Sequence, residues 1–79
     1  MKISVKLLST YRKKLPDGTK GNSVSIDIPD GFSLKDVLEK FNIAYDQTNV
    51  VLVNGLTLED DQSLSEGDEV CVFSAMAGG

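Results

Sequence analysis

At 79 residues, with 41% hydrophobic and 25% charged side chains, the chain is sized for one globular domain with a small core. Its net charge of -4 argues against a nucleic-acid binder that works by neutralising phosphates. Its longest apolar runs, Val50–Val53 and Val70–Phe73, fall far short of a membrane span. The chain has no histidine, which removes the commonest general base and metal ligand. Its one cysteine, Cys71, allows neither an internal disulfide nor a zinc cluster. Lys2 and Lys6 interrupt the only apolar N-terminal stretch, so no signal peptide is expected and the chain reads as cytoplasmic. Charge is uneven. Residues 1–22 balance at +5 and residues 23–79 at -9, which reads as two differently solvated faces or as an acidic patch suited to a basic partner.

From Met1 to Leu8 the sequence alternates, with Ile3, Val5 and Leu7 on one face and lysine and serine on the other, as in a half-buried strand. Ser9 to Asn22 is polar and basic, and reads as a solvated loop carrying Arg12, Lys13 and Lys14, with a Pro16-Asp17-Gly18 turn. Alternation resumes over Ser23–Ile28, predicting a second strand antiparallel to the first, with Val24, Ile26 and Ile28 inward.

Ser33 then has the character of a helix N-cap, with Asp36 in the first turn, and Phe32 and Val37 have the spacing of a hydrophobic staple. Leu34, Val37, Leu38 and Phe41 make one apolar stripe, predicting a short helix that ends near Phe41 and must pack on a sheet. Asn54-Gly55 between Val50–Val53 and Leu56–Leu58 is a strong hairpin signal. In the acidic connection that follows, Leu64 is expected under the core and Glu66-Gly67-Asp68 in a turn before a last strand, Val70–Phe73. One helix covers only one face of a sheet. If Val70 and Val72 point inward, Phe73 and Cys71 point out, joined by Leu8 and Leu52 on the same parity. Leu8, Leu52 and Phe73 are therefore the candidate partner-binding residues on the helix-free face. Cys71 reads as a small hydrophobe, since nothing nearby in sequence would lower its pKa.

The sequence divides into a domain over residues 1–73 and a tail over residues 74–79. In extended form the tail reaches at most about 20 Å. Its small residues, Met76, Ala77 and Gly78 before Gly79, suit threading into a narrow channel, because glycine carries no Cβ. The α-carboxylate of Gly79 is ionised at neutral pH with a reference pKa of roughly 3.5, and as an anion it must be activated before a nucleophile can attack it.

The order of strand, strand, helix, strand, short strand and strand is that of an α+β, ubiquitin-like β-grasp, a mixed sheet of about five strands with one helix on one face. Val53-Asn54-Gly55, the run Leu64-Ser65-Glu66-Gly67-Asp68-Glu69-Val70 and Ala77-Gly78-Gly79 together resemble the MoaD/ThiS-type sulfur-carrier proteins. The resemblance covers the whole chain, with Ser74-Ala75 where such tails usually carry prolines. It implies that a larger, E1-like enzyme adenylates the carboxylate of Gly79 with ATP, and that sulfur transfer then makes a thiocarboxylate. It also implies that ATP belongs to that partner, that this chain binds no cofactor or metal, and that it catalyses nothing alone. The receiver would be a molybdopterin-synthase large subunit or another sulfur-accepting enzyme. The same end would serve a ubiquitin-like modifier joined through Gly79 to lysines, and the same fold would serve a non-reactive adaptor.

Overall fold

Two periodicities in the sequence become two layers. A computed structural model describes residues 1–46, 48–57 and 62–75. In chain order the elements are β1 (Lys2–Leu7), a 3-10 helix (Ser9–Lys14), β2 (Ser23–Asp27), α1 (Leu34–Lys40), β3 (Asn49–Val53) and β4 (Glu69–Ser74). The strands form one mixed sheet ordered β2-β1-β4-β3, with β1 parallel to β4 and the other pairs antiparallel.

Alternation sends Ile3, Val5 and Leu7 of β1, Val51 and Val53 of β3, and Val70 and Val72 of β4 to the same face. There they meet Leu34, Val37 and Leu38 of α1, with Ile28, Ile43 and Leu64 closing the edges of the core. Leu64 is buried, as expected. Val24 and Ile26 point inward as predicted but remain half-buried, since β2 is an edge strand and has a neighbour on one side only.

The helix starts where the sequence says. Ser33 is the N-cap: its hydroxyl accepts from the Asp36 N–H at 3.2 Å, and Asp36 accepts from the Ser33 N–H at 2.9 Å. This is a reciprocal capping box, with aspartate in the place more often filled by glutamate. The Ser33 N–H, then the Ser33 hydroxyl, and less strongly Lys35 hold the Asp36 carboxyl below its ordinary range.

Two expectations need correction. Among the described residues the sheet has four strands, not about five. Asn54 and Gly55 do form a tight two-residue turn, at φ of 53° and 82°, and Val53 and Leu56 exchange both backbone hydrogen bonds. Among the described residues the returning arm pairs only at Leu56: Val53–Leu56 is an isolated bridge, Leu56 is 71% exposed, and Leu58 lies outside the described residues. The end of β3 is committed elsewhere, because the Asn54 N–H donates to the Glu69 carbonyl at 2.8 Å. The second correction concerns residues 9–14, which form a 3-10 helix rather than an irregular loop. Tyr11 and Leu15 pack against the core and hold it down.

Candidate functional site

Because β1 and β4 run parallel, both strands finish at the same end of the sheet. β4 reaches Ser74, which pairs with Asn49, and the Ala75 N–H donates to the Thr48 carbonyl at 3.0 Å. The expected threading residues Met76, Ala77 and Gly78, and the expected reactive residue Gly79, lie outside the described residues. What the structure defines is the base from which they depart.

On one side of that base, the loop before β3 is braced locally. Asp46 accepts from the Thr48 hydroxyl and from its N–H, the latter at 2.8 Å, and these two bonds, in that order, hold its carboxyl below the ordinary range. The buried Asn49 amide donates to the Ala44 carbonyl at 2.6 Å, while its Oδ1 is buried with no hydrogen-bond partner among the described residues. On the other side, the chain turns straight from β1 into the 3-10 helix, which packs against β4. The Leu8 N–H donates to the Val72 carbonyl at 2.9 Å, and the Tyr11 N–H returns to the Leu8 carbonyl at 3.1 Å.

The helix-free face carries two rows of side chains across β1, β4 and β3. Cys71 sits between Lys6 and Leu52, its register partners on the two neighbouring strands. Phe73 pairs with Val50, and Leu8, one residue beyond the Leu7–Val72 pair, comes alongside Phe73. The three residues named from sequence parity, Leu8, Leu52 and Phe73, are thus brought together, each half-buried by its neighbours. Val50 and Lys6 complete the rows. Both share the parity of Leu52 and Leu8, the signal that would have found them.

Cys71 is the only thiol. Burial pushes its pKa up, Glu69 adds to this, and Lys6 opposes it, so the neutral thiol prevails at neutral pH and the group is a poor nucleophile.

The opposite end of the sheet holds the remaining motif residues, and their role there is structural. Asn54 donates from Nδ2 to Asp68 Oδ1 at 2.9 Å and accepts at Oδ1 from the Glu69 N–H, also at 2.9 Å. Asp68 Oδ2 accepts from the Ser65 N–H at 2.8 Å. Gly67, at a φ of 84° that other residues rarely adopt, donates its N–H to the Lys2 carbonyl at 2.8 Å. Glu66 accepts the Lys2 N–H at 3.1 Å with both carboxylate oxygens.

With that geometry in place, the chain can be compared with known proteins. The model of the ThiS family matches residues 5–79. No curated protein matches in sequence. Among solved structures, SAMP1 from Haloferax volcanii is similar with a TM-score of 0.77 at 18% identity, over 100% of each chain. A protein from Pyrococcus furiosus assigned as subunit 1 of a molybdopterin converting factor is similar with a TM-score of 0.74 at 25% identity, over 95% of this chain and 98% of that one. A second structure of the Haloferax volcanii small archaeal modifier protein 1 gives 0.72 at 17% identity, over 91% and 94%. The two Haloferax likenesses, under 25% identical, establish the β-grasp fold alone.

Proposed function

The chain belongs to the ThiS family, and from that premise we propose that it is a sulfur carrier whose Gly79 carboxylate is activated by an ATP-using partner. The observation that carries this reading is the extent of the family match, which runs from β1 through the Gly78-Gly79 end. The fold supports it, since the strand that leads to the tail is held between two neighbours and gives the tail a fixed base.

The chemistry is two displacements. A carboxylate oxygen of Gly79 attacks the α-phosphorus of ATP on the partner, and pyrophosphate leaves. A sulfur nucleophile then attacks the acyl carbon and AMP leaves with the bonding electrons. Hydrosulfide gives the thiocarboxylate directly; a persulfide gives an acyl disulfide that a second thiol must cleave. ATP and any accompanying metal are held by the partner, and this chain supplies the substrate end without being catalytic alone. Threading through Met76, Ala77 and Gly78 requires backbone with little side-chain bulk. Leu8, Leu52 and Phe73 dock the adenylating enzyme, and the same face serves a sulfur-accepting enzyme. The Pyrococcus neighbour, assigned to a molybdopterin converting factor, favours a molybdopterin-synthase large subunit as that acceptor, and we place both in the cytoplasm. Among the described residues no helix is long and apolar enough to cross a membrane.

Intact mass spectrometry of protein from its native host, prepared so as to spare thioacids, tests the reading. Replacement of one terminal oxygen by sulfur is the expected result. Gly-Gly remnants on lysines of other proteins, without any thioacid, would assign the chain as a modifier. Neither species, with normal partner binding, would leave it an adaptor.

A further inference from the structure

The 3-10 helix Ser9–Lys14 is the part of the tail-bearing end that the chemistry above leaves unused. Arg12, Lys13 and Lys14 are all exposed, although Tyr11 and Leu15 anchor the segment to the core. Arg12 donates its Nε–H to Asn22 Oδ1 at 3.1 Å, and Lys14 donates from Nζ to the Asn42 carbonyl at 3.0 Å. Both acceptors are neutral, so the contacts hold the side chains in place without cancelling their charge. Lys20 is exposed on the same excursion, and Asp17 is the only carboxylate in residues 1–22. A groove of about 300 Å³ opens between Arg12, Lys13 and the Pro16–Thr19 turn, where two cations outnumber the one carboxylate of Asp17.

Placement gives the cluster a use. The helix packs on β4 and follows directly from Leu8, so its cations flank the strand end from which Ala75 departs. Through Leu8 they are continuous with the apolar rows of the open face. Concentrating like charge on consecutive residues is repulsive, and in a chain of net charge -4 it does not serve solubility.

We infer that Arg12, Lys13 and Lys14 form an electrostatic docking surface for an acidic patch on the enzyme that receives the tail. The identity of that enzyme rests on the carrier reading. A protein surface fits better than a nucleic acid, because residues 23–79 balance at -9 and would repel an extended polyanion, while a local acidic patch meets only the basic end. Charges at the rim of an interface act chiefly on the rate of encounter, and their effect fades as salt shortens the screening length to about 8–10 Å and below.

The test compares wild type with Arg12→Glu/Lys13→Glu, leaving Lys14 on Asn42, in pyrophosphate exchange by the adenylating enzyme. At low ionic strength the expected result is a Michaelis constant raised about tenfold with kcat unchanged. The two proteins should converge near about 0.5 M salt, where screening is nearly complete. Equal Michaelis constants at low salt overturn the inference. Arg12→Gln/Lys13→Gln, expected to show a smaller rise of the same form, replaces the double reversal if that variant does not fold. If wild type supports no exchange at all, the carrier reading fails, and the surface is judged by NMR titration with a polyglutamate peptide and with single-stranded RNA of equal charge. Shifts from polyglutamate centred on residues 8–20 and reaching Phe73–Ala75, lost in the double variant, uphold the docking surface. Dispersed shifts, or tighter binding of the RNA, overturn it.

Discussion

The two ends of the sheet differ in which charges they satisfy internally. At the end holding Asn54, Ser65, Glu66 and Asp68, polar side chains turn back on the protein's own backbone and on one another. At the end from which the tail departs, Asp46 and the Asn49 amide also brace nearby backbone, but Arg12 and Lys14 bond neutral oxygens, and Asn49 Oδ1 is buried with no partner among the described residues. The contrast separates residues that make the fold from residues left over for something else. It also reassigns the sequence signature: Asn54-Gly55 and Ser65–Glu69 bring the family resemblance to the eye, yet their work lies at the end remote from the tail.

Removing Gly78 and Gly79 should break the comparison most completely on the functional side. Adenylation by the cognate enzyme is expected to vanish in a pyrophosphate-exchange assay, while the thermal midpoint moves by less than about 1 °C, since terminal residues without side-chain bulk bury little.

Asn54→Ala should do the reverse. It deletes two side-chain hydrogen bonds, one to a charged acceptor, and places alanine at a positive φ, for a loss of about 2–3 kcal/mol. In a domain of this size that is a fall of roughly 8–24 °C in Tm by calorimetry, with kcat for adenylation unchanged at a temperature where the variant is folded.

Phe73→Asp sharpens the division within a single strand. Its ring lies in the open-face rows beside Val50, so a carboxylate there should weaken binding of the adenylating enzyme at least about tenfold in a titration. The native fold should persist, because Val70 and Val72 on the other face of β4 are untouched. Unaltered affinity would remove this face from the interface.

The smallest effect is expected at Asp36. Its folded-state pKa lies below the unfolded one, so its contribution is present above the unfolded pKa and is lost as pH falls through the folded value. Asp36→Asn should therefore lower stability near neutrality more than at acid pH, and flatten the acid limb of a Tm-against-pH curve. A parallel displacement of the whole curve would count against this account.

Much of the body could be read from residue order alone, where a single mechanism spoke. Ile3, Val5 and Leu7 alternate too regularly for any element but a strand, and Ser33 and Asp36 start the helix with a capping box. Reading faltered where local chemistry and tertiary pairing diverged. Asn54-Gly55 guaranteed a turn, but among the described residues the pairing beyond it is confined to Val53–Leu56, and the Asn54 side chain bonds Asp68 and Glu69. The 3-10 helix was hidden by its charges. The pair that fixes it, Tyr11 and Leu15, gives only one helical spacing, too little to outweigh Arg12-Lys13-Lys14 and the following proline. On the open face, parity picked out Leu8, Leu52 and Phe73, while Val50 was masked inside an unbroken apolar run. The tail residues Met76 to Gly79 were marked in the sequence by their chemistry and lie outside the described residues.

The parallel pairing of β1 with β4 has a kinetic side. Glu66 receives the Lys2 N–H across 64 positions of sequence, and the strands beside that contact join the beginning of the domain to its last strand. Such a sheet cannot be completed in stages from the N-terminus, because β1 and β3 touch only through β4. Non-local closure of this kind places folding on the slower side of small domains, roughly milliseconds to seconds. It also makes assembly close to all-or-none. Ser74 and Ala75 are therefore held in place only on chains whose whole sheet has closed.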